Sequence, residues 1–242
     1  MADEARRAQA LVAWLRAQVE AGGGAGLIVG LSGGIDSSVV AVLCARAFPE
    51  ASLGLIMPCH SLPLDAEHAR LAAGHAKLAA REIDLGPAYD TLLSQYDPHG
   101  AEAWRALARA NLKPRLRMAT LYFHANLHNY LVVGTGNRSE LEMGYFTKYG
   151  DGGVDLLPLG GLVKTQVRTL AAELGVPGPI IDKPPSAGLW EGQTDEAEMG
   201  LTYADLDRYL LGGQVDAAVA ERVRARQRAS AHKRRLPPIA EL

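Results

Sequence analysis

The sequence predicts an α/β fold: a doubly wound parallel sheet flanked by helices, with extra helices toward the C-terminus. Three observations carry that expectation. Short runs rich in Val, Ile and Leu alternate with longer segments whose apolar residues recur at helical spacing. The first such run, GLIVGL (26–31), is apolar throughout, as a strand buried on both faces must be. A glycine turn and a second apolar helix follow it at once, which is the architecture of a phosphate cradle.

The elements follow in order. Residues 1–20 mix charges of both signs with Leu11, Val12, Leu15 and Val19 at helical spacing, which predicts a surface helix and not a signal peptide. The connector AGGGAG leads into the first strand. A helix over 37–47 carries Val39, Val40, Val42 and Leu43 and ends before Pro49. SLGLIM (52–57) reads as a second strand, 65–79 as a helix and REIDL (81–85) as a third strand. Residues 87–129 are predicted largely helical, with a break near Pro98 and Gly100, and YLVVG (130–134) is a fourth strand. Beyond it come a short helix at 138–144, a glycine-rich turn, a helix at 164–174 and a Pro-rich stretch at 177–193. Helices near 203–211 and 214–230 close the chain, and no repeat or boundary divides it, so one domain is expected over 1–242.

Composition narrows the function classes. Of the 242 residues 48% are apolar and 21% charged, an ordinary globular balance. The formal charge is −2 and the pI near 6.4, so no global field draws the chain to nucleic acid or an anionic membrane. No apolar run approaches the ~20 residues of a membrane span. Two cysteines, Cys44 and Cys59, share no metal-type or CxxC spacing, which suits a reducing compartment and an expected cytoplasmic location.

The loop SGGIDSS (32–38) lies at the predicted carboxyl end of the first strand, yet it lacks the Lys of a Walker-type cradle. Gly33 and Gly34 allow close backbone approach, and Ser32, Ser37 and Ser38 add hydroxyls. Asp36 makes sense beside phosphates if a divalent cation intervenes; the alternative is that it caps the helix. The SGGxDS pattern resembles the pyrophosphatase loop of the ATP pyrophosphatases, whose fold is the Rossmann-like, adenine nucleotide alpha-hydrolase-like one. In that superfamily the loop grips the β,γ-phosphates of ATP and reaction occurs at the α-phosphate.

Further segments sharpen the resemblance. GTGNRSELEMGYFTKYGDGGVDLLPLGGLVKTQVRTLAAELGVP (134–177), NLKPRLRM (111–118), KPPSAGLWEGQTDEAEMG (183–200) and HKRRLPP (232–238) resemble, in order, the NAD synthetase family of ammonia-dependent type. The resemblance implies a ligase that adenylates the nicotinate carboxylate of deamido-NAD with ATP and Mg²⁺, after which ammonia displaces AMP. It places ATP on Gly30, Leu31, Ser32, Gly33, Gly34, Ile35, Asp36, Ser37, Thr135, Lys164 and Ser186, where Ser186 stands for a Thr of the family. Mg²⁺ falls to Asp36 and Glu140, and deamido-NAD to Arg115, Lys148, Asp155, His232 and Lys233. Asp151 and Lys164 are the expected catalytic residues, Asp151 holding ammonia or taking its proton.

Physical chemistry qualifies several of these assignments. Asn137 and Glu140 have capping-box spacing, so Glu140 has a structural reading beside the metal one. The stretch TGNRSE (135–140) departs from the TDHAAE of one family branch but keeps the Glu. Lys164 opens a predicted helix, where a cation is disfavoured unless an anion such as an ATP phosphate lies there. Arg115 and Arg117 sit about 200° apart on their helix and are expected to do different jobs.

Two other readings compete: another pyrophosphatase-loop ligase or tRNA-modifying enzyme, and a non-catalytic adenine-nucleotide sensor. The lack of CxxC and of a basic stripe speaks against the first, and the retained Asp36, Glu140, Lys148, Asp151 and Lys164 against the second. About 25 residues precede the first strand, too few for a glutamine amidase domain, so ammonia is the expected nitrogen source. A separate glutaminase partner has no support in the sequence. The resemblance also implies a homodimer, for which the broadly apolar segment 117–131, with Met118, Leu121, Tyr122, Phe123 and Leu127, offers a face. Segments 58–66 and 183–199 are expected to be lids that order over substrates.

Overall fold

The computed structural model describes residues 2–96, 106–185 and 194–240. Helix α1 (Ala2–Ala21) leads to strand β1 (Gly26–Leu31), helix α2 (Ile35–Ala47) and strand β2 (Ser52–Ile56). Helix α3 (Pro63–Ala76), strand β3 (Ala79–Glu82) and helices α4 (Gly86–Tyr96) and α5 (Ala106–His128) follow, then strand β4 (Tyr130–Val133). The remainder is helical: α6 (Arg138–Met143), α7 (Lys164–Glu173), α8 (Gly178–Ile181), α9 (Asp195–Met199), α10 (Tyr203–Leu210), α11 (Ala217–Ala229) and a 3-10 turn at Ala231–Lys233.

All four strands are parallel, in the order β3-β2-β1-β4. Chain order runs outward from β1 in one direction through β2 and β3, then returns to its other side with β4. The β1/β4 boundary is therefore the switch point, where a crevice opens at the strands' carboxyl ends. Central β1 is buried on both faces, as its unbroken apolar run requires. Leu27, Val29 and Leu31 face a core shared with α1, α2, α3 and α7, whereas Ile28 faces a second core with α4 and α5. Helix α2 is apolar almost all round because other elements enclose it: α1, α3, α7 and β1 all pack on it. A third cluster joins Met143, Met199, Leu201, Tyr203, Leu206 and Val223 and holds the C-terminal helices against α6.

The parallel, helix-flanked sheet and the C-terminal helices match the sequence reading; several boundaries move. The third strand lies at 79–82 and not 81–85, because alignment on Leu53–Ile56 sets its register and Ile83 already turns to the core. Helix α3 starts at Pro63, whose fixed φ suits a first turn, and stops where Lys77 adopts φ 52°. Its start makes part of the expected 58–66 lid helical. Pro114 lies inside α5 without ending it. The Pro-rich stretch contains the unforeseen α8, and the 183–199 lid ends in α9, whose Asp195 and Met199 are buried. The expected break near Pro98 and Gly100, and residues 186–193 of that lid, lie outside the described residues.

Candidate active site

The loop after β1 builds the first wall. Gly33 has φ +74°, and a Cβ there would stand 2.3 Å from the Asp65 carbonyl of α3, so this position requires glycine. The loop hydroxyls are organised among themselves: Ser37 Oγ donates to the Gly34 carbonyl at 2.9 Å and Ser38 Oγ to the same carbonyl at 2.8 Å. Ser32 Oγ accepts from Gly34 N–H at 3.3 Å and lies 3.1 Å from Ser37 Oγ. The N-cap of α2 is Gly34, with no side-chain cap. Asp36 is therefore not the cap that one reading allowed.

The carboxylate of Asp36 reaches across the switch point instead. Its Oδ2 lies 2.5 Å from Lys164 Nζ, and its Oδ1 accepts from Asn137 Nδ2 at 2.9 Å. Glu140 forms its anticipated capping box with one oxygen and faces Lys164 with the other. Oε2 accepts from the Asn137 N–H at 3.1 Å, and Asn137 Oδ1 accepts from the Glu140 N–H at 3.0 Å, a complete capping box. Oε1 faces Lys164 Nζ at 3.4 Å. Thr135 lies just after β4, between the strand and this box.

Lys164 is 3% exposed and opens α7, as expected. The anion that makes a cation tolerable there is built in. Asp207 of α10, itself 2% exposed, accepts from Thr165 N–H at 2.7 Å and from Ser139 Oγ at 2.5 Å. Ser139 Oγ in turn accepts from the Lys164 N–H at 3.1 Å. Burial alone would lower the Lys164 ammonium's pKa, but Asp36 and Glu140 outweigh it and hold the group charged. Burial, with the Asp36 charge, pushes Glu140 well above the usual carboxyl range against the pull of Lys164.

Two carboxylates thus converge on one cation, and that donor set fits Mg²⁺. The ion takes one or two protein carboxylates and fills its octahedron with phosphate oxygens and water. Among the described residues no three His, Cys, Asp or Glu side chains form a metal cage of their own.

A second group of expected residues meets at the glycine turn after α6. Lys148 Nζ donates to the His232 carbonyl at 2.9 Å. Lys233 Nζ donates to the carbonyls of Gly144 and Phe146 at 2.7 and 2.6 Å. Asp151 Oδ1 accepts from the Thr147 N–H at 2.8 Å; the residue is exposed as a whole, but protein packed around its carboxylate raises its pKa, against the backbone donors and the Lys233 charge. The turn seats on α5, since Thr147 Oγ1 bonds Asn111 Oδ1 at 2.8 Å and Gly150 and Gly153 abut Pro114 and Met118. Arg115 is exposed between those two contacts, whereas Arg117 turns inward to donate to Met57 O at 3.1 Å and Ser61 Oγ at 3.2 Å. The two arginines stand in different surroundings. Asp155 bonds the Tyr122 hydroxyl at 2.9 Å and the Val132 N–H at 2.8 Å, tying the turn's exit to β4 and α5. Ser186 lies outside the described residues.

Sequence reading missed Asn137 as a partner of Asp36, and Ser139, Asp195, Tyr203 and Asp207 altogether. Asn137 was visible only as a cap. The acids of the C-terminal helices carry no motif, and only packing of α10 on α6 and α7 brings Asp207 to this place.

Comparison with known proteins finds relatives over nearly the whole chain. The chain is 55% identical over 236 residues to an NH(3)-dependent NAD(+) synthetase of Carboxydothermus hydrogenoformans, covering 96% of both chains. Its fold superposes on NMN synthetase from Francisella tularensis with a TM-score of 0.93 and 39% identity, over 99% of each chain. Against the NH3-dependent NAD synthetase from Campylobacter jejuni, solved in complex with nitrate, the TM-score is 0.81 and the identity 29%, over 98% of this chain and 99% of that one. Residues 7–237 match the family described as NAD synthase, and a match of that extent, on a chain whose switch-point loop carries Asp36 opposite Glu140 and Lys164, means that this protein belongs to the NAD synthase family.

Proposed function

We propose that this chain converts deamido-NAD to NAD with ATP and ammonia, releasing AMP and pyrophosphate. The observation that carries the reading is the convergence of Asp36, Glu140 and Lys164 at the switch point of a family member. ATP lies along the loop from Gly30 to Ser37, with Thr135, Lys164 and Ser186 completing its site. Asp36 and Glu140 would hold Mg²⁺, which draws charge from the phosphates as the α-phosphorus is attacked.

The nicotinate carboxylate oxygen attacks that phosphorus and pyrophosphate leaves, so a mixed carboxylic–phosphoric anhydride forms. Lys164 supplies positive charge for the leaving pyrophosphate. Ammonia then attacks the carbonyl carbon, the C–O bond to AMP breaks, and one proton of the attacking nitrogen must depart. Asp151 takes that proton, and its raised pKa makes it the better base. Arg115, Lys148, Asp155, His232 and Lys233 hold the dinucleotide. The segments around 58–66 and 183–199 exclude water from the anhydride; Lys183 Nζ joins them through Asp65 Oδ1 at 2.6 Å.

The working unit is a homodimer in the cytoplasm, formed from a single domain per chain. Supporting this, Phe123 and Leu127 are each 62% exposed on α5, while the C-terminal helices pack elsewhere, on α6 and α7. No helix among the described residues is long and apolar enough to cross a membrane.

A second substrate reading has a specific observation behind it: similarity to the Francisella NMN synthetase exceeds that to the Campylobacter enzyme in both fold and identity. The reacting carboxylate would be the same, on the nicotinate mononucleotide. The test is a direct competition, with purified protein, ATP, Mg²⁺ and ammonium, comparing kcat/KM for the deamidated dinucleotide and mononucleotide. Faster turnover of the dinucleotide supports the main reading; preference for the mononucleotide replaces it; no AMP or pyrophosphate with either sinks both.

A further inference from the structure

Beside the cluster of Asp36, Glu140 and Lys164 lies a third carboxylate that neither the sequence nor the mechanism has used. Asp195, at the start of α9, is 4% exposed. Its Oδ2 accepts from the Tyr203 hydroxyl at 2.9 Å, but its Oδ1 is buried with no hydrogen-bond partner among the described residues. The Tyr145 hydroxyl donates to Glu198 Oε2 at 2.5 Å and also interacts with the Asp195 carboxylate, without reaching Oδ1. A buried carboxylate oxygen without a donor is costly and needs a reason.

Lys164 supplies one. Its Nζ lies 5.2 Å from the centre of the Tyr203 ring, the same residue whose hydroxyl holds Asp195. Asp195 and Lys164 also feel each other's charge. In the ligand-free chain Nζ occupies the space between Asp36 and Glu140. If Asp36 and Glu140 held a divalent cation, its charge would repel the ammonium that now lies between them. The Lys164 backbone cannot follow the side chain away, because Ser139 and Asp207 pin the first turn of α7. The side chain alone must swing, and it needs an acceptor already in place.

We infer that Asp195 is the positioning residue that receives Lys164 when the metal enters: Oδ1 takes the ammonium, which then stands between Asp195 and the ATP phosphates. Lys164 has two seats, one on the Asp36–Glu140 pair and one on Asp195. The inference rests on the reading that Asp36 and Glu140 bind the cation. Asp195 does not itself ligate the metal, in keeping with the lack of any three-residue cage among the described residues.

The test is a double-mutant cycle read by calorimetric titration of Mg²⁺·ATP into the full chain, without the amidation substrates. The proteins are wild type, D195N, K164M and D195N/K164M, with D36N as the control for the metal. Loss of a charge-assisted hydrogen bond predicts about tenfold to hundredfold weaker binding for D195N. In the K164M background the same change should move affinity less than twofold, because the ammonium that Oδ1 would receive is gone. Equal losses in both backgrounds would assign Asp195 to folding and overturn the inference. So would unchanged binding in D195N while D36N loses it. If D36N also binds normally, the cation reading itself fails. Should D195N not fold, Y203F, which frees the same carboxylate without removing it, should show the smaller loss with the same dependence on Lys164; a loss independent of Lys164, or none, overturns the inference.

Discussion

Replacing Asp207 with Asn tests whether the start of α7 is held from the C-terminal helices. Two donors converge on this buried carboxylate, Ser139 Oγ at 2.5 Å and Thr165 N–H at 2.7 Å. A hydrogen bond to a charged group contributes roughly 1.5–3 kcal/mol, so the pair is worth about 3–6 kcal/mol to the folded state. Asn keeps one acceptor and turns an N–H₂ toward the other donor, so D207N should lose about half of that, roughly 1.5–3 kcal/mol. Ala leaves both donors unpaired in a buried place and should approach the full figure, a large share of the ~5–15 kcal/mol of a typical domain. The assay is urea unfolding of the full chain, followed by far-UV circular dichroism, with D207N, D207A and wild type in parallel. Because Asp207 fixes the backbone under Lys164, the KM for ATP should rise in D207N more than the KM for the nicotinate substrate. A D207A protein within about 0.5 kcal/mol of wild type would show that this network carries no stability and refute the reasoning.

Three further outcomes are expected. G33A combines roughly 1–2 kcal/mol of left-handed strain with a Cβ 2.3 Å from the Asp65 carbonyl, and should cost about 3 kcal/mol in thermal unfolding and abolish measurable ATP binding. G74A lies within α3 with nothing within 4 Å of its new methyl, and should stabilise by about 0.5–1 kcal/mol in the same melt; a loss would mean that α3 is not packed as described. Glu140 is raised to about 8 by burial and the Asp36 charge, above its unfolded value, so its protonated form favours the folded state. The ligand-free chain should therefore be most stable with respect to this group below about pH 4.5 and lose that contribution as pH rises toward about 8; E140Q should flatten the stability–pH curve between about pH 4.5 and 8.

Much of this molecule is legible in local pattern. The apolar run at 26–31 can only be satisfied by burial on both faces, and the glycines after it demand a close approach, which Gly33 makes to α3. The spacing of Asn137 and Glu140 foretells a capping box that forms as expected. The third strand carries no apolar pattern that would locate it: Ala79–Glu82 is an exposed edge, and its position comes from pairing with β2. Cys44 reads as a packed thiol and is one, its pKa raised by complete burial.

What the sequence determined by itself, then, is the cradle: the strand, the turn, the helix and the acid Asp36, because each follows from neighbours within a few residues. The placement of Lys164 on Asp36, 128 positions earlier in the chain, was decided by the tertiary fold. So was the pinning of α7 by Asp207, and the stranding of Asp195 beside them. Those contacts arise because α10 packs on α6 and α7 through a small apolar cluster, and a carboxylate on its buried side has no periodicity of its own to announce what it will meet.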